Sequence, residues 1–217
     1  MDEEDPLKTK FREMMAKRET AIADHDALLR SQGFETASRR TAALVSDYAI
    51  GLRAVSVMST RWSGFGQARL SLRMHDLFLE SAITTLSLVR EGMLNPARCE
   101  MRFLLEASIK AWWCDCVEPG GDVEAKVGFL DDLGTARFRE VVETIEPRLL
   151  DPTMKAELLQ IATNLYARLS THIHPSTSGI GLDLRKFEKG QYIGFETAAD
   201  VNRANELFAQ VLDVSLV

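Results

Sequence analysis

The segment Tyr166-Ala-Arg-Leu-Ser-Thr-His-Ile-His-Pro-Ser176 closes an otherwise apolar helical pattern with an arginine and two of the chain's four histidines. An arginine holds phosphate or carboxylate through its planar fork, and a histidine beside it can move a proton near neutral pH. Arg168 and His172 continue the apolar stripe of Met154, Leu158, Ile161 and Leu165, so both are expected to face the core. His174 stands further on, about 120° round a regular helix from Arg168, and which of the two histidines pairs with the arginine stays open. A buried arginine needs a hydrogen-bonded partner. Arg102 and Glu106 lie one helical turn apart in another apolar segment, and Glu106 is the sole carboxylate between Arg102 and Trp113. The expected cluster is therefore Arg168, His172 or His174, Glu106 and Arg102, with Tyr166 and Ser170 beside it. It reads either as a site or as an ionic network that fixes helix register.

The elements that must position these groups follow from caps, breaks and apolar periodicity. Helices are expected from Pro6 to about Arg30, ended by Gly33; from Thr36 to Ser59; from Gln67 to Glu91, stopped by Gly92; and from Pro96 to Val117, capped by Asn95. The last of these is apolar nearly all round, which places it in the middle of a bundle. Two shorter helices are expected over Asp122 to Leu133 and Thr135 to Ile145, then one from the Asp151-Pro152 cap to about Thr171, where Pro175 prevents continuation. A final helix begins near Thr197. Residues 60–66 read as a loop, and the glycines around Phe187 to Ile193 suggest a small β-hairpin over 184–195. The fold class is all-α, an up-and-down helical bundle in one domain over 1–217, with an N-terminal helical arm over 1–33, a core over 67–180 and a C-terminal helix over 196–217.

Composition narrows the function. The net charge of -6 argues against general nucleic-acid binding, yet residues 38–102 carry nine bases, all arginines, against five acids. If the chain acts on RNA, that block must fold into a basic face beside Arg168. No CxxC pair and no Glu-x-x-His pair is present, so no metal and no cofactor is expected, and Cys99, Cys114 and Cys116 read as reduced thiols. No phosphate loop, GxGxxG or GxSxG elbow occurs either. The interrupted apolar stretches predict no membrane span, and the acidic Met-Asp-Glu-Glu-Asp start is unlike a secretory leader, so the expectation is a cytoplasmic protein. Trp112, Trp113 and Tyr166 could instead line a ligand pocket, although core packing is their commoner fate.

Arg168 with His174 fits the R-x4-6-H pattern of the HEPN superfamily. Together with Arg102-Phe-Leu-Leu-Glu-Ala107, Tyr166-Ala-Arg-Leu-Ser170 and His174-Pro-Ser176, it resembles a bacterial HEPN-like branch related to abortive-infection proteins, over about residues 67–180. The resemblance implies an all-α up-and-down bundle that forms a homodimer and a metal-independent endoribonuclease of a toxin or phage-defence system. Its partners are then RNA or an antitoxin. Arg168 would bind the scissile phosphate, His174 would serve as general acid or base, and Glu106 would orient one of them. The alternative is a non-catalytic helical binding or scaffold module, with Arg168, His172 and Glu106 as a structural polar network.

Overall fold

A computed structural model describes residues 6–59, 64, 68–133, 138–145, 151–171, 180, 181, 184, 188 and 197–216, without the side chains of 131–133. Among the described residues there are nine α-helices and no strand: α1 (Pro6–Leu29), α2 (Gln32–Ser59), α3 (Leu70–Arg73), α4 (His75–Arg90), α5 (Leu94–Val117), α6 (Val123–Leu133), α7 (Phe138–Thr144), α8 (Pro152–Ser170) and α9 (Ala198–Ser215). The chain is an all-α bundle. The helix expected to be central is central: α5 buries Leu94, Ala97, Met101, Leu104, Leu105, Ile109 and Cys114 and packs against α3, α4, α6, α7, α8 and α9. Phe103 and Val117 are the large apolar exceptions on α5, 47% and 44% exposed.

Helices α2 and α9 are joined by a polar seam inside the core. The Thr41 hydroxyl donates to Asn205 Oδ1 at 2.6 Å, and Asn205 Nδ2 donates to the Ala37 carbonyl at 2.9 Å. At the far end Ser215 Oγ donates to Tyr48 Oη at 2.9 Å, and burial pushes the Tyr48 phenol up to about 12 despite that bond. Each buried polar group thus has a partner, so the seam sets register without leaving an orphan. By length and hydropathy alone α2 is the one described helix that could cross a membrane. Its face carrying Phe34, Ala37, Val45, Tyr48 and Leu52 is buried in the bundle.

The helix ends show where local chemistry operates and where packing overrides it. Asp151 caps α8, accepting from the Thr153 and Met154 N–H groups, and Thr197 forms a capping box with Asp200 at the head of α9. Gly92 stops α4 at φ +70°, with its own N–H on the Val89 carbonyl and that of Met93 on the Leu88 carbonyl. Gly33, in contrast, does not end α1. The break falls at Arg30 and Ser31, and Ser31 Oγ accepts from the Phe34 N–H to start α2, which carries Gly33 in its first turn. The helix expected over Gln67 to Glu91 is parted at Met74, and the Asp115 carboxylate caps the first N–H groups of α3. Helix α5 begins at Leu94 rather than Pro96, since a proline in the first turn forfeits no intrahelical bond. The expected hairpin over 184–195 lies outside the described residues except for Leu184 and Glu188, whose backbone is helical. The expected loop over 60–66 lies outside them too, apart from Gly64.

Among the described residues, helix α1 packs on this body toward its C-terminal end. Ala21 is its single buried residue, and Leu28 and Leu29 pack on the core. Leu7, Phe11, Met14 and Ile22 are 77%, 58%, 41% and 49% exposed.

Candidate functional site

Two of the expected site residues do meet. Arg102 on α5 donates from Nη2 to the Tyr166 hydroxyl on α8 at 2.6 Å, and its guanidinium carbon lies 4.6 Å from the centre of the Tyr166 ring. Phe138 of α7 stacks on the same ring, centroid to centroid 4.1 Å with the planes 3° apart. One aromatic ring therefore joins three helices, held by stacking and by a cation against its π system. The Arg102 Nε is buried and makes no hydrogen bond to a described residue.

The remaining expected residues do not converge on it. Arg168 is exposed and does not face the core. The buried stripe of α8 runs through Ala162, Leu165 and Leu169, while Met154 and Ile161 stay on the exposed side with Arg168. Two residues on from Tyr166 is about 200° round the helix, so Arg168 points away from the Arg102 contact. Glu106 pairs with Lys110 on its own helix at 2.7 Å, both half-exposed, and not with Arg102 or Arg168. Ser170 shares the Tyr166 side of α8, but its hydroxyl donates to the Tyr166 carbonyl at 2.6 Å. His172 and His174 lie outside the described residues. Among the described residues, Arg168 and Glu106 do not meet, and Arg102, Tyr166 and Phe138 form a brace.

The arginines of 38–102 are also divided. Arg39, Arg40 and Arg53 are exposed on α2, and Arg73 and Arg90 stand at the ends of α3 and α4. Arg69, Arg98 and Arg102 bond inward, to the Asp115 carbonyl, to Asn95 and to Tyr166. Along α3 and α4, Arg73, Asp76 and Glu80 are exposed, whereas His75 is half-buried and shares a 2.9 Å hydrogen bond with Ser56 of α2. Burial lowers the His75 pKa from 6.5, with Asp76 opposing.

The most strongly built polar cluster is one that spacing did not single out. Asp115 and Lys126 are both buried, with Lys126 Nζ 2.8 Å from Asp115 Oδ1 and also donating to the Ala68 carbonyl. The Asp115 carboxylate accepts in addition from the Leu70 N–H at 2.9 Å, the Ser71 N–H at 3.0 Å and the Ser71 hydroxyl at 2.6 Å. Every strong acceptor position is filled, which makes the pair a clamp binding α3, α5 and α6. The available signal is a carboxylate set among Trp112, Trp113, Cys114, Cys116 and Val117. Beside it, burial first and the Asp115 charge second push the Cys114 thiol up to about 11.

A cleft of about 410 Å³ opens between α7 and α8, lined by Arg139, Glu143, Leu159, Gln160, Thr163 and Asn164 among others. None of the expected site residues lines it. Trp113 does not line it either, its Nε1 donating to Thr144 at 2.8 Å. Among the described residues no group of three or more His, Cys, Asp or Glu side chains is placed to hold a metal ion. The chain matches no family model, no curated protein and no solved structure.

Proposed function

We propose that this chain is a non-catalytic helical binding module, with the bundle as scaffold and α1 as the arm that engages another protein. The observation that carries the reading is the apolar stripe of α1, whose Phe11, Met14 and Ile22 remain exposed on the helix least covered by the body. Leaving large apolar groups in water forgoes about 1.5–3 kcal/mol for each side chain that a partner could cover. The polar clusters fit a scaffold: Arg102 with Tyr166, and Asp115 with Lys126, each tie helices together. The test is recovery of a bound protein with the tagged full chain after cross-linking in cells, compared with Phe11→Asp/Ile22→Asp. A partner held by the parent and lost by the variant supports the reading. Equal recovery by both overturns it.

A second reading is favoured by Arg168, an exposed arginine in the last turn of α8 whose guanidinium no described residue bonds. In the ribonuclease reading it holds a phosphate of RNA while His174 transfers the proton and His172 completes the face. Purified protein that cleaves single-stranded RNA in the presence of a chelator, and loses at least about 100-fold in rate on Arg168→Ala or His174→Ala, supports this. Parent protein without cleavage, or activity untouched by both changes, removes it.

A further inference from the structure

The exposed stripe of α1 runs on from the part of the same helix that is packed. Phe11, Met14 and Met15 precede Ala21, Leu28 and Leu29 at the three- and four-residue steps that keep side chains on one face. The body covers the stripe at its C-terminal end and leaves Phe11 and Met14 in solvent, with Ile22 at the margin. Most helical stability in proteins comes from packing an amphipathic face.

The charges of the helix say what covers that face. From Lys8 to Arg18 it carries five bases, Lys8, Lys10, Arg12, Lys17 and Arg18, and one acid, Glu13. From Glu19 to Leu29 it carries three acids, Glu19, Asp24 and Asp26, and no lysine or arginine. Asp24 and Asp26 thus stand toward the negative end of the helix dipole, where a cation is the favoured neighbour. A second copy of α1 laid antiparallel places each basic half against an acidic half, at both ends at once. A parallel arrangement sets like charge on like. Antiparallel pairing also satisfies the two-fold symmetry of a closed dimer, in which the same patch serves on both subunits.

We propose that α1 is a self-association element, its apolar stripe covered by α1 of a second copy of this chain in antiparallel orientation. The proposal rests on the arm being a binding surface and names its partner. Sedimentation of the full chain reads it directly. The acidic run Asp2 to Asp5 lies outside the described residues, so the charge changes are confined to residues 8–26.

The parent is expected to be a dimer that weakens with added salt. Lys8→Glu/Lys10→Glu/Lys17→Glu and Glu19→Lys/Asp24→Lys/Asp26→Lys are each expected to raise the dissociation constant by about tenfold or more, and an equimolar mixture of the two to restore a heterodimer. All the substituted positions are exposed, and far-UV circular dichroism confirms that each variant is folded. A monomeric parent overturns the proposal, and so does a dimer that neither charge reversal weakens. A monomer that still holds a different protein through Phe11 and Ile22 overturns self-association but keeps the arm as a binding module. A monomer that holds none overturns both, as does a monomer that instead floats with phosphatidylglycerol vesicles.

Discussion

Lys126 illustrates how much a single buried charge can commit. With Asp115 as its counter-ion and the Ala68 carbonyl as its second acceptor, it has no exposed surface. Lys126→Met leaves a buried carboxylate without its cation, and the expected loss is about 3–5 kcal/mol, read as a fall in the urea midpoint with unchanged slope. His75 gives a pH dependence. Its folded pKa lies below 6.5, so the folded chain binds fewer protons than the unfolded one between that folded value and 6.5. The neutral ring's contribution is complete above 6.5 and is lost as the pH falls from there through the folded pKa. Thermal midpoints measured between about pH 5 and 8 are expected to fall less steeply on the acid side in His75→Gln, and parallel curves would remove the residue from the account. At this scale the candidate site was only partly legible. Arg102 and Tyr166, both expected at the site, do touch, but Arg168, expected to face the core, is exposed. Two stripes fit α8, and the larger Ile161 drew the count away from Ala162, which is the residue that faces the core.

Helices were easier to read than side chains because their ends depend on local chemistry. Asp151, Thr197 and Gly92 act where the sequence puts them, since a capping oxygen or a positive φ is decided within a few residues. The departures at Gly33 and within the 67–91 pattern have the opposite cause. There Ser31, or Asp115 from far along the chain, supplies the cap of the helix that follows. The Thr197 cap is testable by itself. Thr197→Ala removes the hydroxyl that accepts from the Asp200 N–H and donates to its carboxylate, at an expected cost of about 1 kcal/mol. Burial acts to raise the Asp200 pKa, but the bonds from Thr197 and Arg203 together outweigh it and hold the carboxyl below 3.8. That contribution is full above 3.8 and vanishes as the pH falls through the folded value, so the gap between parent and Thr197→Ala should narrow in acid. A gap in denaturation midpoint that stays constant down to strong acid counts against it.

For the whole molecule, a bundle centred on α5 and an arm held at one end differ in what dilution does to them. If α1 pairs with a second α1, the thermal midpoint should climb with protein concentration in the parent and stay flat in Phe11→Asp/Ile22→Asp. A flat parent profile removes the coupling. The arm's charge polarity was visible in the sequence from the start, yet its meaning was not, because nothing in a linear pattern says which helix faces the body will cover. The same layered architecture gives the protein a chemical clock. Cys99 is exposed, while Cys114 is buried and kept as an unreactive neutral thiol at neutral pH. An alkylating reagent should take the first at once and the second only when α5 leaves its neighbours. The rate at which the last thiol disappears then times the opening of the central helix, with no label added and no residue changed.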